Sequence, residues 1–185
     1  MNVLIFACSL NPQSRSAVLA ASVAERLAAD GVAVEVVDLR DVPLPMCDAG
    51  PAYAAPEVGE LSGKIAAADA VLLAVPIYNY DVNAAAKNLI ELTGKAWTGK
   101  VVGFLCAAGS KVSYMSTMPL ANSMMLDFRC LVLPRFVYAT GDDFEASPDG
   151  GGEALTGPIV ERVSGLADEV RRVAGALKDA EASVG

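Results

Sequence analysis

The apolar run Val3-Leu4-Ile5-Phe6-Ala7-Cys8 passes directly into the polar stretch Ser9-Leu10-Asn11-Pro12-Gln13-Ser14-Arg15-Ser16. An apolar run of that length bounded by a turn signal reads as a strand buried on both faces, so the chain begins in the middle of a sheet. Past the polar stretch, Leu19, Val23 and Leu27 recur at four-residue intervals with Ser22, Glu25 and Arg26 between them, which predicts a helix from Ser14 or Arg15. Strand, polar loop and helix N-terminus together suit an anion, because the first N–H groups of a helix lack internal partners and its dipole favours negative charge there. The hydroxyls of Ser9, Ser14 and Ser16, the Asn11 amide and the Arg15 guanidinium complete a candidate phosphate nest. Serine and asparagine are equally the ordinary residues of helix caps, and that reading stands beside the first. The loop contains no glycine, which removes the support for a G-x-G-x-x-G fingerprint or a P-loop, so the group expected is a single phosphate monoester.

The same alternation repeats along the chain. Asp30-Gly31 ends the first helix, with glycine available for a left-handed cap, and Val32 to Val37 reads as a second buried strand. Leu39 to Pro56 holds four prolines and reads as a long loop. Val58, Leu61, Ile65 and Ala68 give a helical stripe, weakened by Gly59 and Gly63, and Ala70 to Val75 a third strand. Pro76-Ile77-Tyr78-Asn79-Tyr80 breaks the apolar pattern at that strand's carboxyl end, and Ala84 to Thr93 forms the next helix. Val101 to Cys106 is a fourth strand that opens into Ala107-Ala108-Gly109-Ser110-Lys111.

Pro119 delimits the following helix, expected from Pro119 to about Asp127 after an irregular turn, with Met115, Met118, Met124 and Met125 as core filler. Leu131 to Ala139 is the fifth strand, with Pro134 marking an edge position or a bulge. Gly141 to Gly152 reads as a polar loop, and a last helix starts at Thr156-Gly157-Pro158. Five alternating units without an internal boundary predict one α/β domain over residues 1–185, a three-layer doubly wound parallel sheet of five strands in the order 2-1-3-4-5. Its ligand crevice lies at the switch point between strands 1 and 3, lined by the three polar loops.

Composition narrows the function. A net charge of -8 argues against nucleic acid and anionic membrane as partners, since both demand a positive footprint. No apolar run reaches the length of a membrane span, and Met1-Asn2 leads into a strand without a basic region or cleavage site, so a cytoplasmic location is expected. The absence of histidine excludes histidine-based triads and most catalytic zinc sites, and no metal site is expected. Cys8, Cys47, Cys106 and Cys130 show no C-x-x-C spacing and read as packing residues. Disorder is expected only at Ala180 to Gly185.

Taken together, these residues resemble the NADPH-dependent FMN reductase family of flavodoxin-like proteins. Ser9 to Ser16 resembles that family's FMN phosphate loop, Pro76-Ile77-Tyr78 with Ala85-Ala86-Lys87-Asn88 its second signature, and Gly109-Ser110 the Gly-Gly pair beside the flavin ring. The resemblance covers roughly Met1 to Ala139. The chain departs from the family pattern at Cys8, Asn11, Ala84 to Ala86 and Ser110. It implies a flavodoxin-like fold, bound FMN, and NAD(P)H as co-substrate. The phosphate would lie on Ser9, Asn11, Ser14, Arg15 and Ser16, and the ribityl chain and ring across Pro76, Ile77, Tyr78, Asn79 and Tyr80. The pyrimidine edge would face Ala108, Gly109, Ser110 and Lys111.

Because the flavin carries the redox chemistry, no catalytic side chain is required. Lys111 is either a stabiliser of charge on the ring or a solvated loop lysine, while Lys87 and Asn88 are expected to be structural. The activity implied is ping-pong hydride transfer from NAD(P)H through FMN to a small acceptor, a flavin or quinone, with a partner monooxygenase also compatible. A homodimer or homotetramer is implied as well. The alternatives are an electron carrier of the flavodoxin type, whose T/S-x-T-G-x-T loop is absent, and a flavodoxin-like interaction protein that has lost FMN.

Overall fold

Strands that are apolar on both faces need a layer of helices on each side. The computed structural model, which describes residues 1–147 and 152–184, supplies both layers. In chain order the elements are β1 (Asn2–Ala7), α1 (Arg15–Ala29), β2 (Ala33–Asp38), α2 (Pro56–Ala67), β3 (Ala70–Tyr78), β4 (Asp81–Val82) and α3 (Ala84–Thr93). There follow β5 (Val101–Ala107), α4 (Met118–Phe128), β6 (Leu131–Val132), β7 (Val137–Ala139), β8 (Phe144–Ala146), β9 (Glu153–Leu155) and α5 (Gly157–Val184). Parallel pairing runs β2-β1-β3-β5, and β6 and β7 both lie along the outer side of β5. With β6 and β7 counted as one interrupted strand, this is the expected order 2-1-3-4-5.

Side-chain alternation divides the core cleanly. Val3, Ile5, Leu72 and Leu105 point to the face covered by α1 and α5, whose Leu19, Val23, Leu27, Ile159, Val163 and Val170 meet them. Leu4, Phe6, Leu73 and Phe104 point to the other face, where Leu61, Leu89, Trp97 and Met124 cover them. Gly103 lets α5 sit close: a Cβ there would stand 2.7 Å from Leu72 Cδ2 and 3.3 Å from Leu166 Cδ1. Gly31 turns the chain after α1 at a φ of 76°.

Several expectations are corrected. β2 is not buried on both faces; it is the sheet's edge strand, and most of its side chains reach solvent. β3 does not end at Val75 but continues to Tyr78. Pro76 lacks an N–H, yet its carbonyl accepts from the Asn83 N–H at 3.2 Å, and β4 folds back antiparallel on Ile77 and Tyr78. Leu131 to Ala139 is broken around Pro134 into β6 and β7. Within the expected loop from Gly141, a short turn capped reciprocally by Thr140 and Asp143 precedes β8, which pairs with β9 as a hairpin; residues 148–151 lie outside the described residues. Three-residue strands are too short to leave a periodic signal.

Of the four methionines, only Met124 is fully buried, because the irregular turn carries Met115 to the surface and Met125 lies on the outer side of α4. Disorder from Ala180 is not found: α5 continues to Val184, and Gly185 lies outside the described residues. All four cysteines are free, and Cys8, Cys106 and Cys130 are buried. Burial raises the Cys8 thiol's pKa and pushes Cys106 up to about 12 and Cys130 up to about 11, so these thiols stay protonated at neutral pH and act as packing groups.

Candidate functional site

The carboxyl ends of β1, β3 and β5 lie on one edge of the sheet, and each opens into one of the polar loops. β1 leads to α1 on one face while β3 leads to α3 on the other, so a crevice opens between their tips. It measures about 300 Å3 and is lined by Ser9, Asn11, Gln13, Ser14, Arg15 and Ser16 of the first loop, Pro76, Ile77 and Tyr78 of the second, and Ala107, Ala108 and Gly109 of the third. Ten of the fourteen residues singled out from sequence therefore wall one cleft. Asn79, Tyr80, Ser110 and Lys111 belong to the same loops but stand outside that wall.

Hydroxyl bookkeeping decides what the first loop can bind. Ser14 caps α1 in extended geometry, its Oγ accepting from the Ala17 N–H at 3.0 Å, and the same oxygen lies 3.0 Å from Ser16 Oγ. One proton of that hydroxyl pair bridges the two oxygens, whichever serine donates it. The other proton remains for a ligand. Ser9 Oγ accepts from the Asn11 N–H at 3.2 Å and likewise keeps its own proton, while Asn11 Oδ1 accepts from the Gln13 N–H at 3.0 Å. The cap role is thus present, and it uses lone pairs, so hydroxyl protons of these serines are left over for an acceptor in the cleft. Ser9, Ser14 and Ser16 are all buried at its floor.

Arg15 also lines the cleft, but its guanidinium forms a two-pronged ion pair with Glu153 of β9, Nε to Oε2 at 2.8 Å and Nη2 to Oε1 at 2.6 Å. It lies 5.1 Å from the centroid of the Phe144 ring. The pair holds the Glu153 carboxyl below the usual carboxylate range. Arg15 therefore ties the β8–β9 hairpin to the start of α1, an arrangement hidden in the sequence by the 138 residues between the partners. Arg40 braces the first loop from outside, donating to the Pro12 carbonyl at 3.0 Å while its guanidinium grips Asp38, whose pKa it lowers.

In the second loop, Asn79 and Tyr80 have φ of 52° and 63° and form the tight turn between β3 and β4. Tyr78 and Tyr80 are both exposed there. Asn83 is the residue that the sequence reading missed: buried ahead of α3, it donates from Nδ2 to the Cys8 carbonyl at 2.6 Å and so fixes the second loop to the first. Only its place before the helix hinted at such a role. Asn88 is structural, as expected, its amide joining the Pro45 carbonyl and the Cys47 N–H of the long loop. Lys87 pairs with Glu91 on the helix surface.

The third loop is pinned from β7. Tyr138 donates its hydroxyl to the Ser110 carbonyl at 2.9 Å and also meets Ser113 Oγ, and its ring packs edge-on against Tyr114. Nothing in the pattern around Tyr138 signals this contact.

Known proteins share the fold and, by sequence, the family. A relative from Geobacillus thermodenitrificans (strain NG80-2), named as an NAD(P)H-dependent FAD/FMN reductase, is 28% identical over 149 residues, covering 80% of this chain and 78% of its own. Among solved structures, FerB from Paracoccus denitrificans, a flavoenzyme NAD(P)H:(acceptor) oxidoreductase, superposes with a TM-score of 0.75 at 19% identity over 95% of this chain and 97% of that one. An NADH:FMN oxidoreductase in its apo form gives a TM-score of 0.77 at 14% identity, over 93% and 89% of the two chains. At such identities these structures speak for the fold alone. The profile of the NADPH-dependent FMN reductases matches residues 1–145, and the chain belongs to that family of flavin oxidoreductases.

Proposed function

We propose that this protein is an NAD(P)H-dependent FMN oxidoreductase whose single domain, residues 1–185, holds FMN between the three loops and serves a small acceptor, a flavin or a quinone, by a ping-pong sequence. The observation that carries the reading is the convergence of the three loops on one cleft whose floor presents serine hydroxyl protons beside a helix N-terminus. That donor set fits a phosphate monoester. When bound, FMN supplies the redox chemistry, accepting hydride from NAD(P)H and passing the electrons on.

The chain's own residues bind and orient. Ser9, Ser14 and Ser16, with the leading N–H groups of α1, hold the phosphate, while Asn11 shapes the loop. Pro76, Ile77 and Tyr78 would hold the ribityl chain and ring, and the Asn79–Tyr80 turn forms the second loop's rim. Ala108 to Ser110 would border the pyrimidine edge, whereas Lys111, expected there from the sequence, lines the neighbouring cleft. A cleft of about 300 Å3 is at the small end of ligand sites, so part of a bound flavin would stay open to solvent, where dinucleotide and acceptor would take turns. Initial rates measured at several NADPH and quinone concentrations are expected to give parallel double-reciprocal lines. Intersecting lines would contradict alternation at one site, and no NADPH oxidation would favour an electron carrier.

Tyr80, Val112 and Met115, at 67%, 75% and 61% exposure, put apolar surface on the second and third loops. A second copy of the chain packing on Tyr80, Val112 and Met115, none of which lines the cleft at Lys111 and Tyr114, explains that exposure. Light scattering is expected to return a multiple of the 19.1 kDa chain mass, and a strictly monomeric protein would refute the assembly. Among the described residues, no helix is long and apolar enough to cross a membrane. A cytoplasmic location fits this reading, and fractionation tests it. A monooxygenase partner is compatible with a flavin acceptor, and co-purification of one with the protein tests that extension.

A further inference from the structure

The third loop separates two clefts. Gly109 lines the flavin cleft, and two residues later Lys111 lines a second, of about 410 Å3, together with Tyr114, Thr140, Asp143 and Arg162. Its charge runs against that of the chain. Of 14 lysines and arginines, eight (Arg15, Arg26, Arg40, Lys64, Lys87, Arg171, Arg172 and Lys178) are ion-paired with carboxylates of the described residues. Lys111 and Arg162 form no ion pair among the described residues, and both are exposed. The acid on this wall, Asp143, is already engaged: its Oδ2 accepts from the Thr140 N–H at 2.7 Å and from the Thr140 hydroxyl at 3.1 Å. Tyr114 offers a half-exposed ring braced edge-on by Tyr138 at 5.3 Å between centroids.

A reduced dinucleotide that delivers hydride to FMN brings several phosphate charges to a protein of net charge -8. The serines of the first loop are occupied by the flavin phosphate in that complex, so the dinucleotide's phosphates need other donors. Two cations without an ion pair among the described residues and an aromatic face, one loop away from the flavin cleft, match phosphate esters attached to a stacking base. We propose that the cleft between the third loop and the start of α5 binds the adenosine-side phosphates of the reduced dinucleotide, with Arg162 and Lys111 as phosphate ligands and Tyr114 as the face for the adenine. This inference rests on the FMN reductase reading and adds to it a site for the second substrate.

The test is calorimetric titration of the FMN-loaded protein with two probes, ADP and adenosine 2′,5′-bisphosphate, which separate the diphosphate from the 2′-phosphate as the group held. Wild type is expected to bind at least one probe. Arg162→Glu weakens that binding about tenfold or more, Arg162→Lys restores most of it, and both variants keep the wild-type affinity for FMN. Equal probe affinity in wild type and Arg162→Glu, or no probe binding to wild type, overturns the proposal while leaving the flavin site intact. A parallel loss of FMN affinity in Arg162→Glu also overturns it, because the substitution would then act on the whole edge. Failure of wild type to bind FMN removes the proposed FMN-dependent function and this inference together.

Discussion

Replacing Ser16 with aspartate is expected to abolish FMN binding at micromolar flavin. The Ser16 side chain is buried 3.0 Å from Ser14 Oγ, on the floor of the cleft, so the new carboxylate would face the flavin phosphate. Like charges about 4 Å apart repel by about 4 kcal/mol at the effective dielectric of a protein surface, close to a thousandfold in affinity. An acidic residue in the first turn of a helix complements its dipole, so α1 is expected to remain folded. Ser16→Ala removes one hydroxyl donor from a charged partner and is expected to cost roughly 1.5–3 kcal/mol, an intermediate effect. Quenching of flavin fluorescence on titration into the apo protein measures both variants. Aspartate at this position with wild-type affinity would mean that the phosphate lies elsewhere.

The largest stability loss is expected from Trp97→Ala. Trp97 is fully buried, packs against Phe6 at 6.2 Å between centroids, and donates from Nε1 to Thr93 Oγ1 at 2.8 Å. Removing the ring leaves a cavity and deprives a buried hydroxyl of its donor, a cost of about 3–5 kcal/mol. For a chain of this size that lowers Tm by roughly 10 °C. Trp97 precedes β5 and so lies at the amino edge of the sheet, away from the loops proposed to bind flavin. FMN affinity below the melting transition is therefore expected to be unchanged. A thermal melt showing less than about 1 kcal/mol of destabilisation would contradict the assigned packing.

What was legible in the sequence follows from the range of the signals. The apolar runs of β1, β3 and β5 are long and buried on both faces, so their order and the loops at their carboxyl ends could be read locally. The start of α1 at Arg15 was equally plain, because cap, loop and stripe adjoin. The residues that hold the loops in place were not legible. Asn83 meets Cys8 across 75 residues, Tyr138 meets Ser110 across 28, and Arg15 meets Glu153 across 138; none of these pairs leaves a periodic trace. The buried character expected for β2 failed for a related reason, since a valine-rich strand reads alike at the edge and in the middle of a sheet. Pro76 misled because its rule concerns the lost N–H, whereas β3 continues there through its carbonyl and the return of β4.

The central claim is that the amino end of α1, with its buried serines, holds a phosphate monoester. Riboflavin differs from FMN only in lacking that phosphate, so titrating the apo protein with each flavin isolates the loop's contribution. The account predicts that FMN binds at least about a hundredfold more tightly, as two or more charge-assisted hydrogen bonds require. Equal affinities for the two flavins would contradict it.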